Sequence, residues 1–123
     1  MQILFWLYLI NIVVIIVHEM DSVYWKEWDV FGLGGGVEGF LILHIPLLLI
    51  VLYGLIWLYQ QTLAGLIISL VIGVAGMGGF GLHTYFIRKG RREFTTPLSL
   101  GILWGMLLLS LAQVVVALFL LRG

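Results

Sequence analysis

The segment ILFWLYLINIVVIIV, residues 3–17, is almost entirely apolar: it carries no charge, and Asn11 is its only amide side chain. An apolar segment of about 20 residues is long enough to cross the hydrocarbon core of a bilayer as a helix. The run therefore predicts a first membrane span over Ile3–Met20. Similar apolar runs later in the chain predict three further spans, at Val37–Tyr59, Leu63–Ile87 and Leu98–Leu121.

Composition agrees with this interpretation. Of 123 residues, 63% are hydrophobic and 10% are charged, and the mean hydropathy is +1.19. A soluble domain of this size cannot bury so much apolar surface. Segments of this length without alternating polarity satisfy their backbone groups in lipid as helices, not as barrel strands. The sequence thus predicts an all-α membrane protein, a four-helix transmembrane bundle forming one domain over residues 1–123.

Two classes of site are excluded or disfavoured. Cysteine is absent, which rules out disulfides, thiolate metal ligands and a cysteine nucleophile. The formal net charge is zero, which argues against binding to nucleic acid. The lipid bilayer is the expected partner.

The loops indicate an orientation. The segment RKGRR, residues 88–92, holds four of the six positive charges. By the positive-inside rule this loop lies in the cytoplasm, so both termini lie outside it. Thr96 is placed to cap the fourth span, with Pro97 at its first helical position.

The segment between the first two spans is rich in aromatic residues. Tyr24, Trp28 and Phe31 have the spacing of one face of a short helix, which we expect to lie along the membrane interface. The glycines that follow, at positions 32 and 34–36, allow a sharp turn into the second span. Glu27, between Trp25 and Trp28, is placed to fold over the polar residues described next.

All three histidines fall at similar depth near the cytoplasmic ends of three different spans: His18, His44 and His83. Asp21 follows His18 by three residues and shares its helix face, whereas Glu19 is turned by about 100°. In the third span a stripe of small residues continues into His83 and lets a neighbouring helix approach closely. The stripe consists of Gly65, Ser69, Gly73, Gly76 and Gly79.

Ionisable groups in a membrane are costly and are functional candidates by default. We expect His18, Asp21, His44 and His83 to ligate Zn²⁺ or Fe²⁺, with Glu19 and Glu27 as candidate catalytic carboxylates. Two alternatives remain open at this point: a hydrogen-bonded network that only fixes helix packing, and a haem held between two histidines. Elsewhere in the spans, hydrogen bonds between helices are expected from Asn11, Ser110 and Gln113.

The segments HEMD, KEWDVF, LHIP and GLHTYFIRKGRREFTTPLS together resemble a bacterial family of small four-span membrane proteins classified as a domain of unknown function. The resemblance covers nearly the whole chain and implies a multi-pass protein of the bacterial inner membrane. It also implies that the motif's polar groups gather at one membrane face, and it implies no activity or ligand. The motif positions are His18, Glu19, Asp21, Glu27, Trp28, His44, Pro46, His83 and Ser99.

Two functional classes follow. The first is a metal-dependent enzyme acting on a lipid or small amphiphile at the cytoplasmic leaflet. The second is a non-enzymatic small subunit or stabiliser of a larger membrane complex, or a homo-oligomer, associating through the glycine-rich face of the third span.

Overall fold

The computed structural model describes residues 1–123 and is entirely helical. Four long helices form a bundle, and a fifth element of one turn joins the first two of them. The helices are α1 (Gln2–Tyr24), α2 (Glu27–Val30), α3 (Gly36–Tyr59), α4 (Leu63–Arg88) and α5 (Pro97–Arg122). The four long helices match the predicted spans within a few residues, and each is long and apolar enough to cross a membrane. The chain is therefore a multi-pass membrane protein.

Short connections force the long helices to run antiparallel in sequence order. Both termini consequently lie at one end of the bundle, and α2 and the loop between α4 and α5 lie at the other. At the terminal end, Leu4, Tyr8 and Leu58 belong to one buried apolar cluster. At the opposite end, Val30, Phe94 and Leu103 belong to a second. We refer to this second end, which carries all three histidines, as the histidine end.

Between the two clusters, polar side chains bond across helices in the middle of the bundle. Asn11 donates from Nδ2 to Ser110 Oγ at 3.0 Å and to Gln113 Oε1 at 2.9 Å. Gln113 in turn donates from Nε2 to the carbonyl oxygen of Ser69 at 2.7 Å. These bonds link α1, α4 and α5 and confirm the interhelical role expected for the three side chains.

The stripe of small residues on α4 allows the close packing that the sequence predicts. A Cβ atom at Gly65 would stand 2.7 Å from the backbone nitrogen of Leu58, and one at Gly73 would stand 2.6 Å from Val114 Cγ2. Gly65, Gly73 and Gly76 are buried against α3 and α5 of the same chain. This part of the stripe therefore serves the internal packing of the bundle.

The helix ends follow local chemistry. Thr96 accepts a hydrogen bond from the backbone N–H of Ser99, and Pro97 is the first residue of α5, as predicted. The turn after α1 was not predicted: Lys26 adopts a left-handed conformation with φ of 52°. This turn reverses the chain so that α2 lies against the bundle. Trp28 is buried there and Phe31 is half-buried, whereas Tyr24 is exposed.

Helix α3 is the least enclosed of the long helices. Its buried residues are Gly54 and Leu58, both in the half that lies near the termini. No residue between positions 36 and 50 is buried. Helix α3 is thus held closely to the bundle at the terminal end and less closely at the histidine end.

Candidate metal centre

Helix register brings His18 into the bundle. On α1 the buried residues recur every three or four positions and include Leu4, Tyr8, Asn11 and Ser22. His18 continues this pattern and is 4% exposed. His83 ends the corresponding face of α4 and is 2% exposed. The two imidazole rings meet edge to face, with centroids 4.6 Å apart.

Glu27 completes a group of three. The left-handed turn at Lys26 precedes α2, and Glu27 is the first residue of that helix. Its Oε1 lies 3.8 Å from His83 Nε2. One nitrogen or oxygen from each of His18, Glu27 and His83 lies within 4.8 Å of the other two, a grouping that can hold a metal ion. We call these three residues the triad.

The triad contains buried polar atoms that the protein itself does not satisfy. His18 Nδ1 and Glu27 Oε2 are buried and have no hydrogen-bond partner. Burial is the main cause that raises the pKa of Glu27 to about 7, while the nearby Ser22 hydroxyl lowers the pKa and the negative charge of Glu19 raises it, each by less. A buried polar atom without a partner costs about 1–3 kcal/mol. A cation bound between the three side chains would give these buried groups a partner and so reduce that cost.

Aromatic residues hold the two imidazoles in place. Phe94 is 1% exposed, and its ring centroid lies 4.3 Å from that of His83 and 5.6 Å from that of His18. Phe31 covers another side of His83, at 5.2 Å. Phe94 was not predicted as a site residue, although it is the single aromatic residue of the charged loop RKGRREFTTP, which was the available signal.

Ser99 links the turn after α1 to the start of α5. Its hydroxyl accepts hydrogen bonds from Trp25 Nε1 at 3.4 Å and from Thr96 Oγ1 at 2.7 Å. Trp25 also packs against Phe94, with ring centroids 6.3 Å apart. The loop that contains Phe94 and the turn that positions Glu27 are therefore joined to each other.

His44 forms a separate pair with Glu19. His44 Nε2 lies 2.8 Å from Glu19 Oε2, and its Nδ1 lies 2.7 Å from the carbonyl oxygen of Phe40. A carbonyl can only accept, so Nδ1 carries a hydrogen. The contact between Nε2 and the carboxylate then requires one further proton, which the two side chains share.

The structure thus brings together only part of the set expected from sequence. His18 and His83 are in contact and Glu27 joins them, whereas both ring nitrogens of His44 are engaged elsewhere. Asp21 is half-buried one turn after His18, and its Oδ2 has no hydrogen-bond partner. Asp21 is not part of the triad. Glu19, turned away from His18 on the ideal helix, reaches His44 on α3.

A cavity of about 200 Å³ adjoins the triad. His18, Glu27 and His83 form part of its wall, together with the carboxylate-bearing residue Glu19. The rest of the wall is mainly apolar. A metal ion at the triad would therefore be next to a space able to receive another molecule.

Comparison with known proteins gives a family and no further relative. No curated protein and no solved structure matches the chain. The model of a family of unknown function, DUF6713, matches residues 4–120, which is nearly the whole chain. This agrees with the resemblance noted from the histidine and carboxylate motifs. The four-span chain described here therefore belongs to the family DUF6713.

Proposed function

We propose that this protein is a membrane metalloenzyme in which His18, Glu27 and His83 hold one divalent transition metal ion. The observation that carries the proposal is the convergence of the three donor groups within 4.8 Å, two of them with buried atoms that lack a partner. Buried polar atoms almost always have a hydrogen-bond partner. Two such atoms without a partner, in one cluster of side chains that commonly ligate metals, favour the binding of a cation there.

The donor set suits zinc and iron. Two imidazoles and a carboxylate are the protein ligands of catalytic zinc in one class of hydrolases and of non-haem Fe(II) in oxygenases. Three protein ligands leave coordination positions free, which is the pattern of catalytic sites and not of structural ones. When bound, the ion would supply a Lewis acid for hydrolysis or a redox centre for oxidation. Either reaction would act on a lipid or small amphiphile that reaches the cavity.

We assign proton transfer in the reaction to Glu19 and His44. Glu19 lines the same cavity as the triad, and it shares a proton with His44. The Phe40 carbonyl fixes the ring of His44 through Nδ1. This pair can give or accept a proton at the wall of the cavity without occupying the metal position.

The geometry favours a single ion over haem. The rings of His18 and His83 touch edge to face at 4.6 Å between centroids. A haem iron with two axial histidines requires the porphyrin plane between the two rings. No such plane fits between rings in direct contact.

Metal analysis of the purified protein tests the proposal. We expect about one zinc or iron per chain in the wild type after reconstitution, and a large loss in His18→Ala, Glu27→Gln and His83→Ala. The matched control is His44→Ala, which removes a histidine outside the triad and should retain the metal. Metal retained at full stoichiometry in the triple triad variant, or none in the wild type supplied with Zn²⁺ and Fe²⁺, would contradict it. The triad would then serve only to pack helices.

A further inference from the structure

The cavity beside the triad has a polar end and an apolar body. Its polar end is formed by His18, Glu19, Glu27 and His83. The body extends toward the middle of the bundle between side chains that have no polar atoms, among them Ile15, Val51, Ile72 and Met106. Ile72 precedes His83 by eleven residues on α4, about 16 Å along the helix axis. A volume of about 200 Å³ spread over that length makes a narrow space.

Helix α3 contributes little to the wall of the cavity, because Val51 is its one residue there, whereas α4 contributes several. At the terminal end, Gly65 of α4 packs against the backbone of Trp57 and Leu58. Beyond Val51, toward the histidine end, α3 has no buried residue. The cavity therefore lies in the gap between α4 and the half of α3 that has no buried residue, with small residues of α4 such as Gly76 and Gly79 in its wall.

The wall of the cavity reaches the surface of the bundle within the third span. Two residues of its wall, Ala75 and Leu82, are exposed on the surface of α4. Ala75 is in the middle of this span, at the level of the hydrocarbon core. A molecule entering beside Ala75 therefore comes from the bilayer and not from water. His18, which is 4% exposed and has an unpartnered Nδ1, lies at the far end of that route.

We propose that the gap between α3 and α4 takes up one alkyl chain of an amphiphile sideways from the bilayer and presents the polar end of that molecule to the triad. The narrow apolar body selects a single unbranched chain. The polar end meets imidazole and carboxylate groups. That this end is the reacting one rests on the function proposed above, whereas uptake of the chain does not depend on the metal.

Photolabelling tests the proposal in the full-length protein reconstituted in phosphatidylcholine nanodiscs. The probe is a long-chain fatty alcohol with a diazirine near the end of its chain, which is uncharged and so independent of the state of the carboxylates. Met106 is 3% exposed, so an adduct on Met106 requires the chain to enter the cavity. We expect adducts on Met106 or Ile72. Adducts confined to exposed side chains such as Val71 and Val74 would overturn the proposal.

A matched pair of variants tests the route. Ala75→Phe places a ring at the opening, and Val74→Phe places the same ring on a neighbouring exposed position that is not part of the wall. Labelling of Met106 should fall several-fold in the first variant and stay unchanged in the second. Equal labelling of Met106 in both variants would overturn entry beside Ala75.

Orientation and metal content separate the two proposals. A second probe with its diazirine next to the hydroxyl group should label Phe31 or His83 at the polar end, and labelling of Ile72 by this probe instead would overturn the orientation. Metal is measured in the same samples. Labelled Met106 without metal would leave the chain site standing and defeat the metalloenzyme. Bound metal without labelling of Met106 would contradict the chain site and leave the metalloenzyme proposal standing.

Discussion

Among single residues, Glu27 is the member of the triad whose protonation should control metal affinity. Burial raises the pKa of this carboxyl to about 7, so the group is largely protonated below that pH in the metal-free protein. A metal ion binds the carboxylate, so protons compete with the metal and affinity falls as the pH falls. We predict that Zn²⁺ affinity measured by calorimetry decreases from pH 8 to pH 6.

The control for this prediction is a carboxylate outside the triad. At pH 6, where Glu27 is largely protonated in the metal-free protein, Glu27→Gln should weaken binding and reduce the number of protons released with Zn²⁺ by about one. Glu38→Gln, which removes an exposed carboxylate outside the triad and its cavity, should leave that number unchanged. If the zinc affinity of the wild type did not depend on pH across this range, zinc would not be displacing a proton from Glu27.

Phe94 is the residue on which the positions of both histidines depend. Its side chain is 1% exposed and contacts His18, His83 and Trp25. Removing a buried phenylalanine ring costs about 3–5 kcal/mol of unfolding free energy. We predict a loss of that size for Phe94→Ala in detergent unfolding experiments, together with weaker metal binding. Phe119→Ala is the matched control, because Phe119 is 76% exposed and should change little. Similar stability of the two variants would contradict this role.

At the scale of elements, glycines on α4 should differ sharply in their tolerance of alanine. A Cβ atom at Gly65 would lie 2.7 Å from the backbone of α3, whereas one at Gly78 would meet nothing within 4 Å. Gly65→Ala must separate the two helices, at a cost of about 1–3 kcal/mol. Gly78→Ala should raise the free energy of unfolding by about 0.4–1 kcal/mol, because alanine restricts the conformations of the unfolded chain. Thermal unfolding in one detergent measures both, and equal effects would refute the packing described for α3 and α4.

The long helices could be predicted from sequence, because runs of about 20 apolar residues have no other stable form in lipid. The cap at Thr96 and the bonds of Asn11 and Gln113 were also predictable, since they depend on local spacing and on the cost of an unpaired amide. The position of α2 was not. It depends on Lys26 in a left-handed conformation that lysine rarely adopts, so no local pattern indicated that Glu27 would reach His83.

Across the whole molecule, the similar depth of the three histidines in their spans predicted that all of them lie at one end of the bundle. It did not predict which of them are in contact. His18 and His83 are brought together by α1 and α4, which both pack closely in the bundle. His44 is on the half of α3 that has no buried residue, and it pairs with Glu19, which lines the cavity. The tilt of a helix is set by packing along its whole length, and the spacing of residues within one span does not record it.

Orientation in the membrane is the prediction that belongs to the entire chain. The loop at the histidine end carries Arg88, Lys89, Arg91 and Arg92, and positive residues are retained in the cytoplasm. Both termini should therefore lie outside the cytoplasm. Reporter fusions after residue 123 and in the loop near Gly90 should give opposite signals. A C-terminal reporter active only in the cytoplasm would reverse the assignment and move the triad to the other leaflet.

X-ray absorption spectroscopy of the metal-loaded protein can determine whether His18, Glu27 and His83 bind one metal ion. For zinc, we predict two imidazole nitrogens at about 2.0–2.1 Å and carboxylate or water oxygens at about 2.0–2.2 Å. The spectrum of His83→Ala should lose one imidazole or the metal altogether, and that of His44→Ala should match the wild type. Three imidazoles in the wild type with one lost in His44→Ala, or the absence of any bound metal, would contradict the account.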